Sequence, residues 1–98
     1  MKMNRELFDS AENGDVERVK ELIERGAVVD WAHPRMLGWT PLIIAAQNRH
    51  RHDSVVSLLL EKGAEVDKTD DGGWTALIHA AARGKSAIVE LLLSHGAD

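Results

Sequence analysis

Gly73-Trp74-Thr75-Ala76-Leu77-Ile78-His79-Ala80-Ala81 repeats, 35 residues on, the plan of Gly38-Trp39-Thr40-Pro41-Leu42-Ile43-Ile44-Ala45-Ala46. Both stretches read as the start of a helix. The threonine hydroxyl can accept a backbone N–H that the first helical turn leaves free. Pro41 sits where its missing N–H does no harm. Leu77, Ala80 and Ala81 follow helical spacing, and small alanines let another helix approach closely. Gly84 ends this helix, and a second follows from Ser86 to His95. There Ile88, Val89, Leu91, Leu92 and Leu93 cover most of the circumference, as expected of a helix buried between neighbours.

Working outward, the same unit appears three times. Leu7, Ala11, Gly14, Val19, Leu22 and Gly26 stand 70 residues before Leu77, Ala81, Gly84, Val89, Leu92 and Gly96. The middle copy precedes the last by 35 residues in its first half and by 33 in its second (Leu59 to Leu92, Gly63 to Gly96). It therefore carries two extra residues between its halves, within 48–54, and the connection before it, Gly26 to Thr40, is also two longer than Gly63 to Thr75. Three copies of a unit of about 33 residues indicate a repeat architecture in which neighbours bury one another's apolar faces. Helices are expected over about 4–13, 16–25, 41–48, 54–62, 75–83 and 86–95. Repeats are expected at approximately 4–30, 38–67 and 73–98 of one domain covering 1–98. The linkers carry β-prone pieces (Val28-Val29, Glu65-Val66-Asp67) and a turn signal (Asp71-Gly72-Gly73), so extended or hairpin-like fingers are expected.

Composition narrows the function classes. The 98 residues make one domain at most, with 29% charged and 44% hydrophobic residues, as in an ordinary soluble globular chain. Twelve Lys and Arg against 16 Asp and Glu give a net charge of −4, which argues against nucleic acid as the partner. There is no cysteine, so disulfides, cysteine-zinc sites and thiol nucleophiles are excluded. The N-terminal stretch is charged and amphipathic, with no apolar signal core. No run reaches membrane-spanning length, so no membrane partner is expected and a cytoplasmic location is. One Phe, no Tyr and three Trp leave the core to aliphatic side chains.

The matching segments, together with Val56-Ser57-Leu58-Leu59-Leu60-Glu61-Lys62-Gly63-Ala64, resemble the ankyrin-repeat family over nearly the whole chain. The resemblance implies an all-α solenoid of stacked helix-turn-helix units. Fingers project from one edge, and a concave surface of finger tips and first helices binds a protein or peptide. Ile43 and Ile78 stand where the family has histidine, so apolar contact is expected in place of hydrogen bonds. The interhelix glycine is missing from the middle copy, and Asp30 and Asp67 replace the family's asparagine.

The candidate site follows from both readings. Trp39 and Trp74 occupy equivalent finger positions and Trp31 lies early in the first finger. None falls at a helix-core position, and tryptophan is enriched in binding hot spots. The alternative is that Trp39 and Trp74 stack on each other or on Pro34 and Leu37. Met36 and Leu37 extend the longer finger as an adaptable apolar tip, or pack over the first helix pair. Contact positions implied by the resemblance map onto Glu12, Asn13, Gln47, Asn48, Ala82 and Arg83 at first-helix ends, Asp71 at a finger tip, and His95. An uncapped last repeat makes Ile88, Leu91 and Leu92 a candidate face for self-association. This belongs to the alternative reading, a structural assembly unit or a piece of a longer array.

Catalysis, cofactors and metals find no support. The serines lie on helices or at helix starts, and Gly72-Gly73 is a turn pair rather than a phosphate cradle. The cluster His50-Arg51-His52-Asp53 has too few ligands for structural zinc, and its arginines repel a cation. It reads as a small basic bump in an interhelix turn, away from the fingers. His33, His79 and His95 are scattered and point to no shared site.

Overall fold

The computed structural model describes residues 2–50 and 52–98. Six helices follow one another: α1 (Lys2–Asn13), α2 (Val16–Glu24), α3 (Pro41–Gln47), α4 (Asp53–Glu61), α5 (Ala76–Ala82) and α6 (Ser86–Ser94). They pair as α1 with α2, α3 with α4 and α5 with α6. The first helices form one row, α1 against α3 and α3 against α5. The second helices form another, α2 against α4 and α4 against α6. This is the expected stack of helical hairpins, and the core runs continuously through it.

Local chemistry sets the helix starts. Thr40 Oγ1 accepts the N–H of Ile43 and Thr75 Oγ1 that of Ile78, at 3.2 and 3.3 Å. Asp15 does the same for Arg18 in front of α2, at 3.1 Å. At the other end of each second helix one bond recurs: Ala27 to Leu22, Ala64 to Leu59 and Ala97 to Leu92. It is the six-to-one closure of a helix that turns away sharply. The five helices after α1 stop one residue earlier than periodicity alone predicts, because Arg25, Asn48, Lys62, Arg83 and His95 act as caps.

Packing supplies most of the stabilisation. Every residue of α3 is buried, from Pro41 to Gln47, because that helix has neighbours on both sides. Phe8, Leu22, Leu42, Ile43, Leu59, Ile88 and Leu92 are among the fully buried side chains. Each is worth about 1.5–3 kcal/mol, against about 1 kcal/mol for a cap. Ile43 meets the expectation of apolar contact, but Ile78 is 42% exposed, since no helix lies on that face of α5. Ile88 and Leu92, expected on an accessible assembly face, are instead buried. Periodicity showed that α6 is apolar nearly all round, but not which side the stack covers. Leu91 is half-buried, and the large apolar side chain that α6 exposes is Leu93.

The β-prone linker pieces do not form strands among the described residues; both fold as turns. Single backbone bonds close the two fingers, His33 N–H to Trp39 C=O at 2.8 Å and Asp70 N–H to Trp74 C=O at 2.9 Å. The first closure encloses residues 34–38 and the second 71–73, which locates the two extra residues at the first tip. Successive repeats are also tied through the aspartates that replace the family's asparagine. Asp30 accepts the N–H of Glu65, and Asp67 that of Asp98, both at 3.1 Å.

Interhelix turns lie at the opposite edge. Gly14 has a φ of +74°, and a Cβ there would sit 2.6 Å from the His52 ring. A side chain larger than hydrogen would have to displace the His52 ring. His52 is held by its Nε2–H donating to the carbonyl of Glu12 at 2.8 Å. It is thus a tie between repeats rather than part of a solvated bump. Arg51, central to that expectation, lies outside the described residues.

Candidate functional site

The two fingers meet over one buried carboxylate. Asp70 begins the second finger, and its side chain is 6% exposed. Oδ1 accepts the backbone N–H groups of Gly72 and Trp74, both at 2.9 Å, which shapes the finger itself. Oδ2 accepts the Nε1–H of Trp39 from the neighbouring finger at 3.0 Å. It also accepts the Nε2–H of His79 from α5 at 2.8 Å. Facing an ionised carboxylate, that ring nitrogen must carry the proton. Burial alone would raise the Asp70 pKa. The bonds from His79, Trp74 and Gly72 outweigh it and hold the carboxyl below the ordinary aspartate value.

The indoles are arranged around His79. The Trp39 and His79 rings are 5.2 Å apart and near-perpendicular, and the Trp74 and His79 rings are 5.1 Å apart. The tryptophans therefore flank a histidine instead of stacking on each other. Trp39 is half-buried, whereas Trp74 remains 45% exposed. Leu37 is 64% exposed and Met36 37%. Leu37, Trp39, Asp70, Gly72, Trp74 and His79 line a cleft of ≈ 240 Å³ between the finger tips.

The first finger is docked to the second by backbone. The Asp71 N–H donates to the Leu37 carbonyl at 2.9 Å, and the Asp71 carboxylate lies against Gly38, whose φ of +70° and missing Cβ admit it. Leu37 itself has a φ of +57°, the one non-glycine residue at positive φ among those described. The left-handed region is unfavourable for leucine by about 1–2 kcal/mol. The finger thus holds a large apolar side chain outward in a conformation that Gly or Asn would adopt more easily.

The other predicted residues are dispersed. Trp31 is removed from the tips: it packs on Phe8 and His33, with ring centroids 6.3 and 4.9 Å away. Gln47 is buried inside the stack. Asn48 bridges repeats, donating to the Glu12 carbonyl at 3.2 Å and accepting from His50 at 3.0 Å. Ala82 and Arg83 are exposed, but they lie a helix length from Trp74, on the order of 10 Å. His95 is exposed at the end of α6, its Nδ1 3.0 Å from the Leu91 carbonyl. Met36, Leu37, Trp39, Asp71 and Trp74 are the candidates brought together at the tips.

Sequence reasoning missed Asp70 and His79, the two residues that organise the cleft. An aspartate two residues before a glycine is a recognisable turn acceptor, and Asp70-Asp71-Gly72 carried that signal. Nothing local connected His79 to it. A larger hollow, ≈ 580 Å³, lies at the opposite edge beside Asp53, Arg83, Lys85 and Glu90. Its charged lining and position at an interhelix turn separate it from the aromatic cluster. No group of three or more His, Asp or Glu among the described residues could hold a metal ion, and no helix there is long and apolar enough to cross a membrane.

A model of ankyrin repeats matches residues 7–98 in three copies. The chain belongs to the ankyrin-repeat family. Ankyrin repeats are generally non-catalytic modules of protein–protein interaction, and the six-helix stack without strands among the described residues accords with their solenoid. Similar proteins include XBAT34 of Arabidopsis thaliana, an E3 ubiquitin-protein ligase by name, 44% identical over 94% of this chain. Ankyrin repeat and SAM domain-containing protein 6 of Mus musculus is 38% identical over 95%. The glycerophosphocholine phosphodiesterase GDE1 of Candida albicans is 34% identical over 89%. The chain spans 24%, 10% and 7% of these relatives' lengths. The shared part is the repeat stack.

Proposed function

We propose that this ankyrin stack is a non-catalytic protein-binding module whose contact surface is the cleft between its two finger tips. One observation carries the reading: Leu37 and Trp74 stand exposed around an open cleft whose floor, Asp70 and His79, is fixed by hydrogen bonds. Exposed large apolar groups on a rigid frame can bury against a partner without first being ordered, which lowers the entropic cost of association. Ankyrin relatives with unrelated names share the stack, which supports a binding role separable from any one chemistry. The test compares partner isolation by the wild type and by a Leu37→Ala, Trp74→Ala double variant. A partner retained by the wild type and lost from a variant of unchanged helicity supports the cleft. Equal retention by both overturns it.

A second reading rests on Ile78 and Leu93, 42% and 51% exposed on the last hairpin. Here α5 and α6 associate with another copy through that apolar side. Sedimentation of Ile78→Glu and Leu93→Glu variants decides it. A concentration-dependent dimer that both substitutions dissociate supports assembly, and a monomer throughout removes it.

A further inference from the structure

We infer that the finger-tip cleft accepts an arginine side chain of the partner protein, its guanidinium stacked on indole and paired with Asp71. The inference rests on the cleft being the contact surface. Three observations select this occupant from the side chains that would fit ≈ 240 Å³.

The walls are aromatic and aliphatic. Trp74 presents an exposed indole and Leu37 an exposed isobutyl group, and Trp39 also lines the cleft. Tryptophan is the best aromatic acceptor of a cation, and a planar guanidinium can stack on it while its methylene stem covers aliphatic surface.

The rim is acidic. Asp71 is exposed at the tip, just outside the lining between Asp70 and Gly72, and no cation among the described residues pairs with it. Residues 65–71 carry Glu65, Asp67, Asp70 and Asp71 against one lysine, Lys68. Arg35 belongs to the first finger and, among the described residues, forms no ion pair with Asp71. A purely apolar side chain would desolvate this rim without answering its charge. A lysine would answer the charge but present no flat face to the indoles.

The floor is already satisfied. Both Asp70 oxygens are occupied by donors from Gly72, Trp74, Trp39 and His79. An incoming cation is therefore directed to the free Asp71 carboxylate rather than inward.

Four acetylated tripeptide amides test the inference on the isotopically labelled full chain: glycine on either side of arginine, lysine, norleucine or glutamate. The readouts are the Trp74 indole N–H and the Leu37 amide, with the Trp31 indole as an internal control. The arginine peptide is expected to shift both signals saturably, with a Kd of about 1–10 mM. Norleucine should bind at least about fivefold more weakly, and glutamate should leave the signals unmoved. Asp71→Asn should weaken arginine binding about threefold while the remaining amide spectrum stays that of the wild type. Trp74→Leu, read at Leu37, should abolish the preference over norleucine. Norleucine binding as tightly as arginine overturns the occupant but leaves the cleft a contact surface. Silence of every peptide at both signals overturns both, as do shifts of equal size at Trp31.

Discussion

The indole of Trp39 donates to the buried carboxylate of Asp70 at 3.0 Å across 31 residues of chain. The same oxygen accepts His79 from the helix behind, while its partner oxygen holds the Gly72 and Trp74 amides. One side chain thus fixes the second finger, the neighbouring finger and the first helix of the last repeat in a single geometry. The exposed groups at the tips inherit their positions from it.

Replacing Asp70 therefore destabilises more than a surface turn residue would. Asp70→Ala leaves four donors without their acceptor at a site that is only 6% exposed. The expected cost is about 3 kcal/mol, a fall in Tm on the order of 10 °C or more. Asp70→Asn keeps the shape but turns an amide NH2 toward N–H donors, so it should recover little. Thermal melting checks both. A loss below about 0.5 kcal/mol for Asp70→Ala would remove Asp70 from this organising role.

The same network sets an acid limb. Burial raises the Asp70 pKa, but its hydrogen bonds win and hold it below the ordinary aspartate value in the folded chain. A carboxyl lowered on folding contributes stability that is complete above its unfolded pKa and lost as pH falls through the folded one. The wild type should therefore lose this contribution as pH drops below about 4, and Asp70→Asn should lack it. Melting the two proteins in parallel should show their difference shrinking through that window. A constant difference would mean that Asp70 does not titrate this way.

Much of this stack was legible in the chain. The 35- and 70-residue registers of Thr40, Thr75, Ala46 and Ala81 are set by helix caps and close helix contacts, which local sequence dictates. The two-residue excess of the first finger was legible too, since it follows from the register alone. What failed were properties of neighbours. Whether Leu92 or Leu93 faces inward depends on where α4 lies, not on α6. Trp31 looked like Trp39 until Phe8 was placed beneath it. The link from Asp70 to Trp39 and His79 joins three segments, and no spacing rule announces it.

The interhelix edge of the stack should not tolerate a methyl group at Gly14. Gly14→Ala meets both a φ of +74° and the His52 ring, so about 1–3 kcal/mol should be lost. Adding His52→Ala removes the clash but not the backbone strain. In a double-mutant cycle measured by denaturant unfolding, the pair should lose less than the sum of the single changes. Strict additivity would mean that the two residues do not press on each other.

Adjacent leucines of α6 supply a sharper contrast. Leu92 is 0% exposed and Leu93 51%. Leu92→Ala should cost about 2–5 kcal/mol through lost burial and a cavity, and Leu93→Ala within about 0.5 kcal/mol. Unfolding titrations of the two variants measure this directly. Equal losses would place the inward face of α6 elsewhere.

Leu37 separates stability from binding. Its φ of +57° is unfavourable for a leucine side chain, and that side chain is 64% exposed, so little burial repays the strain. Asparagine adopts the left-handed region more readily and keeps the backbone carbonyl that accepts Asp71. Leu37→Asn should therefore stabilise the fold by about 0.5–1 kcal/mol while weakening partner retention about tenfold. Melting and a binding titration on the same preparation check the two signs together. A variant that is more stable and binds equally well would leave the strained leucine without a role at the contact surface. One that is less stable would mean that Leu37 is held by packing within the finger rather than offered to a partner.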